Sequence, residues 1–348
     1  MVDDFSALDL APGHVVGGYT LLSRLDQGGM GTIWRVRDDG GTVYAMKILL
    51  DSLKEEPADV NGTGSNEEKL TARERFRREA LALRKIDHPG VNRIVDMELD
   101  DALAFIVTEL IEGKNLRDDV YENGRYTAED LENLARMLID AVDAVHAAGI
   151  IHRDIKPTNV MISPSGPILV DFGIAMGENE SHVTRTGLVM GTPGFIAPEI
   201  IDGAESDEAT DWWSVAAVLA FAATGRPVFG SSPLMTVLER AASGNADLTG
   251  LPPVTLNALR MALNPDRMER CSAQDLLSAI HEDALTPELW DAPAAMPSIG
   301  TTTVLRPNAA SAGGASVSPS GAAPREEKTS VMPPFLSRLF ERHPRSSH

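Results

Sequence analysis

The hydrophobic pattern of this 348-residue chain changes its period near Gly113, and that change limits the folds it can adopt. Before Gly113, short apolar runs are separated by glycine-rich turns, which is typical of antiparallel β-strands. After Gly113, apolar residues recur at helical spacing, which predicts helices. We therefore expect an α+β fold with a small β-rich N-terminal lobe and a larger α-helical C-terminal lobe. The predicted strands are Tyr19–Leu25, Thr32–Arg37, Val43–Leu50, Ile94–Leu99 and Ala104–Glu109.

Local signals indicate where helices of the second lobe begin and end. Thr127 with Asp130 resembles a capping box, and Gly149 is expected to end the helix that follows. The uncharged stretch Trp212–Thr224 is shorter than the roughly 20 residues of a membrane span, so it predicts a buried helix.

Composition narrows the classes of partner and compartment. The net charge is −20, and residues 284–348 contain six Lys or Arg against five Asp or Glu, so the negative charge lies within 1–283. Because a negative field repels the phosphate backbone, we do not expect nucleic acid as a binding partner. The single cysteine, Cys271, rules out a disulfide framework and a cysteine-based zinc site. Because residues 1–10 show no basic signal-peptide region, we expect a soluble, cytoplasmic protein with no transmembrane segment.

The last part of the chain differs in composition. Of residues 291–330, 28 of 40 are Ala, Pro, Ser, Gly or Thr, which leaves too little apolar surface to offset the entropy of ordering. Pro334–His343 has the spacing of a short amphipathic segment. The predicted units are a folded domain at 14–283, with lobes at about 14–111 and 112–283, and a disordered tail at 284–348.

One segment carries residue types that phosphoryl transfer requires. Ile151-His-Arg-Asp-Ile-Lys-Pro-Thr-Asn159 is followed, twelve residues after Asn159, by Asp171-Phe-Gly173. In such chemistry a carboxylate accepts the proton of a hydroxyl group and a lysine neutralises charge on the transferred group. An Asn oxygen and an Asp carboxylate suit Mg²⁺, a hard cation that prefers oxygen ligands. The alternative, an ordinary loop, does not account for this combination.

Two earlier features fit the same chemistry but are weak alone. Asp26-Gln-Gly-Gly-Met-Gly31 lies between predicted strands, and its glycines allow backbone N–H groups to approach a phosphate closely. A glycine-rich hairpin without a ligand is the common alternative. Lys47 ends an apolar strand and Glu79 lies on a predicted charged helix at about 73–86, yet both residue types usually face water.

Taken in order, these motifs resemble a Hanks-type (eukaryotic-like) Ser/Thr protein kinase of the bacterial kind, from about His14 to Asp283. The resemblance implies a bilobal protein-kinase-like fold and a non-specific serine/threonine protein kinase. It implies transfer of the γ-phosphate of ATP to Ser or Thr of protein substrates, with ATP and Mg²⁺ as cofactors and Mn²⁺ as the alternative metal. Further matching segments are His88-Pro89, Gly191-Thr-Pro-Gly-Phe-Ile-Ala-Pro-Glu199, Asp211-Trp-Trp-Ser214 and Arg270-Cys-Ser-Ala273.

The resemblance assigns catalytic roles to residues of this sequence. Asp154 would orient and deprotonate the acceptor hydroxyl, Lys156 would contact the γ-phosphate, and Thr192 would bridge the two. Lys47 would bind the α- and β-phosphates. The other assignments are Asn159 and Asp171 as metal ligands, Glu199 and Arg270 as an ion pair that fixes the activation segment, and Asp211 as a brace of the catalytic loop.

A nucleotide pocket is implied in the same way. Thr108 would be the gatekeeper, and Glu109 and Ile111 would offer backbone groups to adenine, although ordinary strand packing is the alternative. Glu79 would hold Lys47, with Glu74 as the fallback because a polar insertion near 51–72 stretches the interval. The predicted ATP-binding residues are Leu25, Gly28, Gly29, Gly31, Ile33, Ala45, Lys47, Glu79, Thr108, Glu109 and Ile111.

The segment between Asp171 and Glu199 contains a candidate switch. Arg153 precedes Asp154, an arrangement that in the family pairs with a phosphate on the activation loop, and Thr184 and Thr186 are the candidate acceptors. A phosphothreonine adds a charge of about −1.5 to −2 and three acceptor oxygens, which can order a loop around a guanidinium. Two solvated loop threonines are the alternative.

The sequence departs from the family pattern at Asp26, which stands where the first loop glycine is expected. A carboxylate about 4 Å from a phosphate oxygen would be repelled by about 4 kcal/mol at an effective dielectric of 20. Alternatively the side chain points outward, since Asp tolerates unusual backbone angles. The sequence favours the second interpretation because Gly28, Gly31 and the catalytic groups are present.

Two other functions compete with an active protein kinase. A pseudokinase scaffold would bind partners without transferring phosphate, and only Asp26 speaks for it. A small-molecule phosphotransferase of the kinase-like superfamily would share the catalytic loop but lack the peptide-docking segment around Thr192 and Pro198-Glu199. In the tail, Thr301–Leu305 is either a plain linker or a phosphothreonine site read by an FHA-type domain.

Overall fold

The computed structural model describes residues 10–28, 31–49, 77–78, 80–99, 103–172 and 192–291. The described residues belong to one compact unit that ends at Pro293. Several predictions lie outside them: those for Gly29, Glu74 and Glu79, for Thr184 and Thr186, and for the chain from 292 onward.

An antiparallel six-stranded sheet forms the N-terminal lobe, in the strand order β1-β2-β3-β4-β6-β5. Each of the predicted strands is present, and the two-residue β1 was not predicted. The strands β1 to β6 are Val15–Val16, Tyr19–Gly28, Gly31–Arg37, Val43–Leu49, Ile94–Glu98 and Phe105–Glu109.

Alternation along these strands buries one face of the sheet. Leu21, Val36, Met46 and Ile48 are fully buried there, and Trp34 packs with them. Removing that apolar area from water is the main stabilising contribution of the lobe. Because the opposite residues alternate outward, β3 and β4 carry polar side chains on the other face.

The C-terminal lobe is helical, and its helices follow the predicted pattern. Helical backbone at 77–78 and 80–83 falls within the predicted charged helix of the first lobe. The helices of the second lobe are α1 Leu116–Asn123, α2 Ala128–Ala147, α3 Pro198–Ile201, α4 Glu208–Thr224, α5 Leu234–Ala242, α6 Pro253–Ala262, α7 Ala273–Ala284 and α8 Glu288–Asp291.

Two central helices show why the sequence signals were informative. The Thr127 hydroxyl accepts a hydrogen bond from the backbone N–H of Asp130 (3.2 Å), so α2 begins where the capping box predicts. The chain turns at Gly149 with a φ of +75°, a region that favours glycine. Helix α4 is buried almost throughout, and Asp207 caps its first turn. None of the helices in the described ranges is long and apolar enough to cross a membrane.

A small second sheet positions the predicted catalytic residues. Its strands are β7 Lys114–Asn115, β8 Val160–Ser163 and β9 Gly166–Leu169. The segment between α2 and β8 carries the predicted catalytic loop, and Asp171 follows β9 directly. The backbone N–H of Leu169 donates a hydrogen bond to the Gly90 carbonyl (2.8 Å), which ties the β8–β9 hairpin to the turn before β5.

The folded part of the chain extends past residue 283, where the sequence places the start of a disordered tail. Helix α8 lies beyond that point, and Trp290 within it is only 3% exposed. The Arg125 guanidinium donates hydrogen bonds to the carbonyl of Trp290 and to that of Gly250 (3.3 Å). The stretch rich in Ala, Pro, Ser, Gly and Thr begins only at residue 291. The buried Trp290 lies just before it, which explains why the folded part continues past residue 283.

Candidate active site

Asp211, a residue of α4 that is 1% exposed, anchors the predicted catalytic loop. Its carboxylate accepts hydrogen bonds from the backbone N–H groups of His152 (2.7 Å) and Arg153 (3.0 Å). The ring nitrogen Nε2 of His146, on α2, lies 2.9 Å from the same carboxylate. A buried carboxylate with three polar partners is stabilised and fixes the loop's path.

Two residues of the site, one in the catalytic loop and one directly after β9, adopt uncommon backbone conformations. Arg153 and Asp171 have φ angles of +66° and +56°, the left-handed region that non-glycine residues seldom occupy. Such conformations persist where the surroundings impose them, and they concentrate at functional sites. His152 is fully buried against the Phe172 ring, 4.6 Å between centroids, and this burial lowers its pKa. A neutral His152 therefore packs as part of the core.

Asp154 lies at the centre of a network of short polar contacts. The Lys156 ammonium is 2.7 Å from its Oδ2 atom. The Asn159 amide donates to the Asp154 carbonyl (2.8 Å) and to the same Oδ2 (3.0 Å). No described residue donates a hydrogen bond to Oδ1. Among the described residues, the polar contacts of this carboxylate are therefore made through Oδ2.

Asn159 and Asp171 provide oxygen atoms suited to a magnesium ion. The Asn159 amide nitrogen faces Asp154, so its Oδ1 atom is left with one long contact of 3.5 Å from the Thr158 hydroxyl. The Asp171 carboxylate forms an ion pair with the Lys47 ammonium. The described residues contain no cluster of three or more His, Cys, Asp or Glu side chains that could hold a metal. Mg²⁺ commonly takes one or two protein ligands together with phosphate oxygens and water, which fits this donor set.

The predicted nucleotide residues lie on adjacent strands. Ile33 on β3 is opposite Lys47 on β4, and Ala45 on β4 is opposite Thr108 on β6. These residues therefore line up across the middle of the sheet above the catalytic loop. Other predicted positions follow the same strands: Leu25 is exposed on β2, Gly28 pairs with Gly31 at the β2–β3 turn, Glu109 ends β6 and Ile111 follows it.

Glu109 ends β6, and one of its backbone groups already has a partner within the protein. Its backbone N–H donates to the Arg93 carbonyl (3.1 Å), so that donor is already used inside the protein. The residues after it leave the sheet, and Ile111 is half-buried. Asp26, the departure from the glycine pattern, is exposed at the end of β2, in register with Ile33.

Helix α3, which contains Glu199, is anchored by an ion pair. Arg270 donates two hydrogen bonds to the Glu199 carboxylate, at 2.8 and 2.7 Å, and a third to the Asn264 carbonyl (2.8 Å). The side chains are 7% and 14% exposed. A two-point Arg–carboxylate contact with so little solvent fixes both position and orientation.

Thr192 lines the same cleft as the catalytic-loop residues, as the sequence predicts, but the predicted bridge through its hydroxyl is not observed. The cleft is lined by Arg153, Asp154, Lys156, Thr192 and Phe195 among others. The Thr192 side chain is exposed, and its hydroxyl makes no hydrogen bond to any described residue. The bridge predicted between Asp154 and Lys156 through Thr192 is thus not formed here, and Lys156 contacts Asp154 directly.

Two residues that support the site had no role assigned from the sequence, although Ser214 belongs to a segment that matches the family. Ser214 donates from its hydroxyl to the Phe195 carbonyl (2.9 Å), which joins α4 to the turn before α3. His146 contacts Asp211, as described above. Ser214 was detectable, because Asp211 and Ser214 are polar residues three positions apart, on one face of an otherwise apolar helix.

Comparison with known proteins agrees with this geometry. A family model described as "Protein kinase domain" matches residues 19–280. The chain belongs to the protein kinase family. A β-sheet lobe followed by a helical lobe confirms the predicted bilobal kinase fold. The predicted resemblance to bacterial Hanks-type kinases is confirmed by the relatives below.

Three bacterial protein kinases illustrate the similarity. "Probable serine/threonine-protein kinase PkwA" of Thermomonospora curvata is 33% identical over 307 residues, 86% of this chain and 39% of that protein. "Serine/threonine-protein kinase AfsK" of Streptomyces coelicolor is 31% identical over 285 residues, 79% of this chain and 34% of that protein. "Serine/threonine-protein kinase PknA" of Mycobacterium tuberculosis is 31% identical over 314 residues, 84% of this chain and 70% of that protein. The chain matches well under half the length of the first two relatives.

Proposed function

We propose that this protein is an ATP- and Mg²⁺-dependent serine/threonine protein kinase. The supporting observation is the contacts of five side chains that come from three separate parts of the sequence. Lys47 pairs with Asp171, and Asn159 and Lys156 both contact Asp154. A protein without phosphoryl-transfer chemistry has no need to combine these residue types in such contacts.

Asp154 has the position of a general base. Its Oδ2 is held by Lys156 and Asn159, so the carboxylate is fixed in orientation while Oδ1 accepts a hydroxyl proton from a Ser or Thr side chain. A positioned base of this kind contributes about 10²- to 10⁴-fold to rate. The proton moves to the carboxylate as the acceptor oxygen attacks the γ-phosphorus of ATP and the bond from that phosphorus to the departing ADP breaks.

The lysines supply positive charge for the phosphate oxygens. Lys47 lies on a strand of the central sheet opposite Ile33, so its backbone is fixed by two strand neighbours. Lys156 lies beside the base, where charge develops as the phosphoryl group moves. When bound, Mg²⁺ would be held by Asn159 and Asp171 and would neutralise charge on the phosphates.

A protein acceptor is favoured over a small molecule by the cleft next to Asp154. Besides catalytic-loop residues, it is lined by the segment from Thr192 to Ala197 and by Ser214 on α4. The Glu199–Arg270 ion pair and the Ser214 hydrogen bond to Phe195 hold this segment against the helical lobe. An ordered backbone segment beside the base can align an extended peptide. We infer that Ser and Thr side chains of proteins are the acceptors.

Autophosphorylation of Thr184 and Thr186 is part of the proposal. Arg153 lies in the loop beside Asp154 and lines the same cleft. A phosphate on the segment between Asp171 and Glu199 would provide a dianion for its guanidinium. An FHA-type reader of a phosphorylated tail, at 301–305, is a further prediction from the sequence.

The test is phosphosite mapping after incubation of the full chain with labelled ATP, Mg²⁺ and a generic protein substrate. We expect label on the substrate and a mass gain at Thr184 or Thr186. Asp154→Asn should abolish both, because it removes the base while conserving shape. An unmodified chain with full activity would contradict the switch alone, and an unlabelled substrate would contradict the kinase proposal.

A further inference from the structure

A second cleft lies in the helical lobe between α5 and α6. Its polar lining consists of Arg240, Asn245, Asp247, Thr249 and Arg260, and it shares no residue with the catalytic cleft. Arg240 is in the last turn of α5, and Arg260 is in the last turn of α6. Two arginines from different helices therefore line one recess.

The one carboxylate in this cleft is already neutralised. Arg226 donates to both oxygens of Asp247, from Nε at 3.2 Å and from Nη2 at 3.1 Å. Hydrogen bonds from Arg226 and Thr249 hold the pKa of Asp247 at about 2, so it is ionised and paired at neutral pH. Neither Arg240 nor Arg260 forms an ion pair with a carboxylate of the described residues. The cleft thus keeps an excess of positive charge in a chain whose net charge is −20.

The Arg240 guanidinium lies close to the backbone of the loop at Gly230. Its Nη1 atom lies 3.2 Å from the point where a Cβ atom of Gly230 would be, and Gly230 has a φ of +85°. A side chain at 230 would crowd the guanidinium and strain the loop. The Gly230 carbonyl in turn lies 3.8 Å from the Cβ position of Gly194, in the turn that lines the catalytic cleft. The basic cleft therefore adjoins the segment expected to dock peptides.

We propose that this cleft binds a phosphate monoester carried by a protein side chain. Arginine forks match the oxygens of a phosphate group with two parallel hydrogen bonds, and two arginines line this cleft. A compact dianion suits the site, because an extended polyanion would meet the negative field of the surrounding chain. The proposal goes beyond phosphoryl transfer and does not depend on it, since it concerns binding of a group that is already phosphorylated.

Fluorescence anisotropy on the full chain, without ATP, tests the proposal. The probe is a labelled synthetic peptide Ser-His-Val-Thr-Arg-Thr-Gly-Leu, taken from residues 181–188, with a phosphate on its first threonine. We expect binding of the phosphopeptide and little binding of the unphosphorylated peptide. Arg240→Gln and Arg260→Gln should each weaken binding about tenfold, because each removes charge-assisted hydrogen bonds. Arg→Lys at the same positions should restore part of the affinity, since a lysine supplies charge without the fork.

The matched control is Arg136→Gln, which removes the same charge from the exposed face of α2 and should leave binding unchanged. Equal binding of the two peptides, or an equal loss in Arg136→Gln, would overturn the proposal. Displacement of the phosphopeptide by sodium phosphate at the same concentration as by unlabelled phosphopeptide would also overturn it, since the site would then hold free phosphate. If the unaltered chain binds the phosphopeptide but transfers no phosphate to a protein substrate, that result would contradict only the proposed function.

Discussion

The Lys47 ammonium forms an ion pair with the Asp171 carboxylate across 124 residues of sequence. Lys47 belongs to the central strand of the N-terminal lobe, and Asp171 follows the last strand of the small sheet in the other lobe. The pair therefore links the two lobes at the predicted site of the phosphates and the metal. Binding of a metal–nucleotide complex would require both groups to change partners, lysine to phosphate and carboxylate to metal.

Lys47→Met should remove phosphoryl transfer while leaving the fold in place. The side chain is only partly buried, and methionine keeps the apolar stem without the charge. We expect a loss of activity of about 10²- to 10³-fold, the scale for one charge-stabilising group in an active site. Labelled ATP with a generic substrate measures activity. Lys85→Met, at an exposed turn, is the control, and comparable loss there would argue against a specific role.

Asp211→Asn should destabilise the protein and impair catalysis together. An asparagine conserves the shape but replaces one acceptor oxygen with an NH₂ group that faces the N–H of His152 or Arg153. The loss of a buried acceptor costs about 1–3 kcal/mol, and more when it is charged. Chemical denaturation measures the free energy of unfolding. Asp143→Asn, exposed on α2, should change nothing, and equal stability of the two variants would refute the bracing role.

Two arginines close together in sequence should differ in their contribution to stability. Arg270 pairs with Glu199 at 7% and 14% side-chain exposure, whereas Arg267 pairs with Asp207 at 42% and 46%. Removal of one member of a buried pair costs about 3–5 kcal/mol. An exposed pair is worth about 0–1 kcal/mol. Arg270→Gln should therefore lower the unfolding free energy far more than Arg267→Gln in denaturant titrations, and similar values would show that burial is not decisive.

The fold was predictable from the sequence wherever one pattern repeated along an element. The positions Leu131, Leu134, Leu138, Val142 and Val145 recur at helical spacing, and all of them are buried in α2. Strands β3 and β4 were equally regular, since Trp34 and Val36 on one and Met46 and Ile48 on the other are buried at alternate positions. The two-residue strands β1 and β7 were missed, because they depend on pairing with distant segments rather than on their own pattern.

The active site was predictable as a set of residue types but not as a set of contacts. The motif spacing brings Asp154, Asn159 and Asp171 near one another, because catalytic-loop and strand residues follow directly in the chain. It could not show that Lys156 and Asn159 share one oxygen of Asp154, or that Thr192 makes no bridge. Such choices depend on side-chain rotamers and on packing between lobes, which no local pattern encodes.

Arg226→Gln should raise the pKa of Asp247. In the folded protein the pKa of Asp247 is about 2, below the ordinary 3.8, chiefly because Arg226 donates hydrogen bonds to it. This pair stabilises the fold above about pH 4, and its contribution is lost as the pH falls from about 4 towards 2. Carboxyl NMR titration measures the pKa. A value in Arg226→Gln that stays near 2 would mean that another group holds the carboxylate.

Trp290→Ala should destabilise the domain by about 3–5 kcal/mol, although the residue lies beyond the family match that ends at 280. The indole is 3% exposed, and the Arg125 guanidinium holds its backbone carbonyl against the helical lobe. Thermal and denaturant unfolding measure the loss. Leu289→Ala, a neighbour whose side chain is 42% exposed, is the control and should lose much less.

Two truncations test the same boundary without a substitution. A chain that ends at residue 283 lacks α8 and should unfold as readily as Trp290→Ala, whereas a chain that ends at 293 keeps α8 and should match the full-length protein in stability and in phosphoryl transfer. Equal stability of the two truncated chains would mean that Trp290 packs without contributing. The contrast is informative because the residues between the two ends include the buried indole, so burial of one aromatic side chain, rather than composition, sets where the folded part ends.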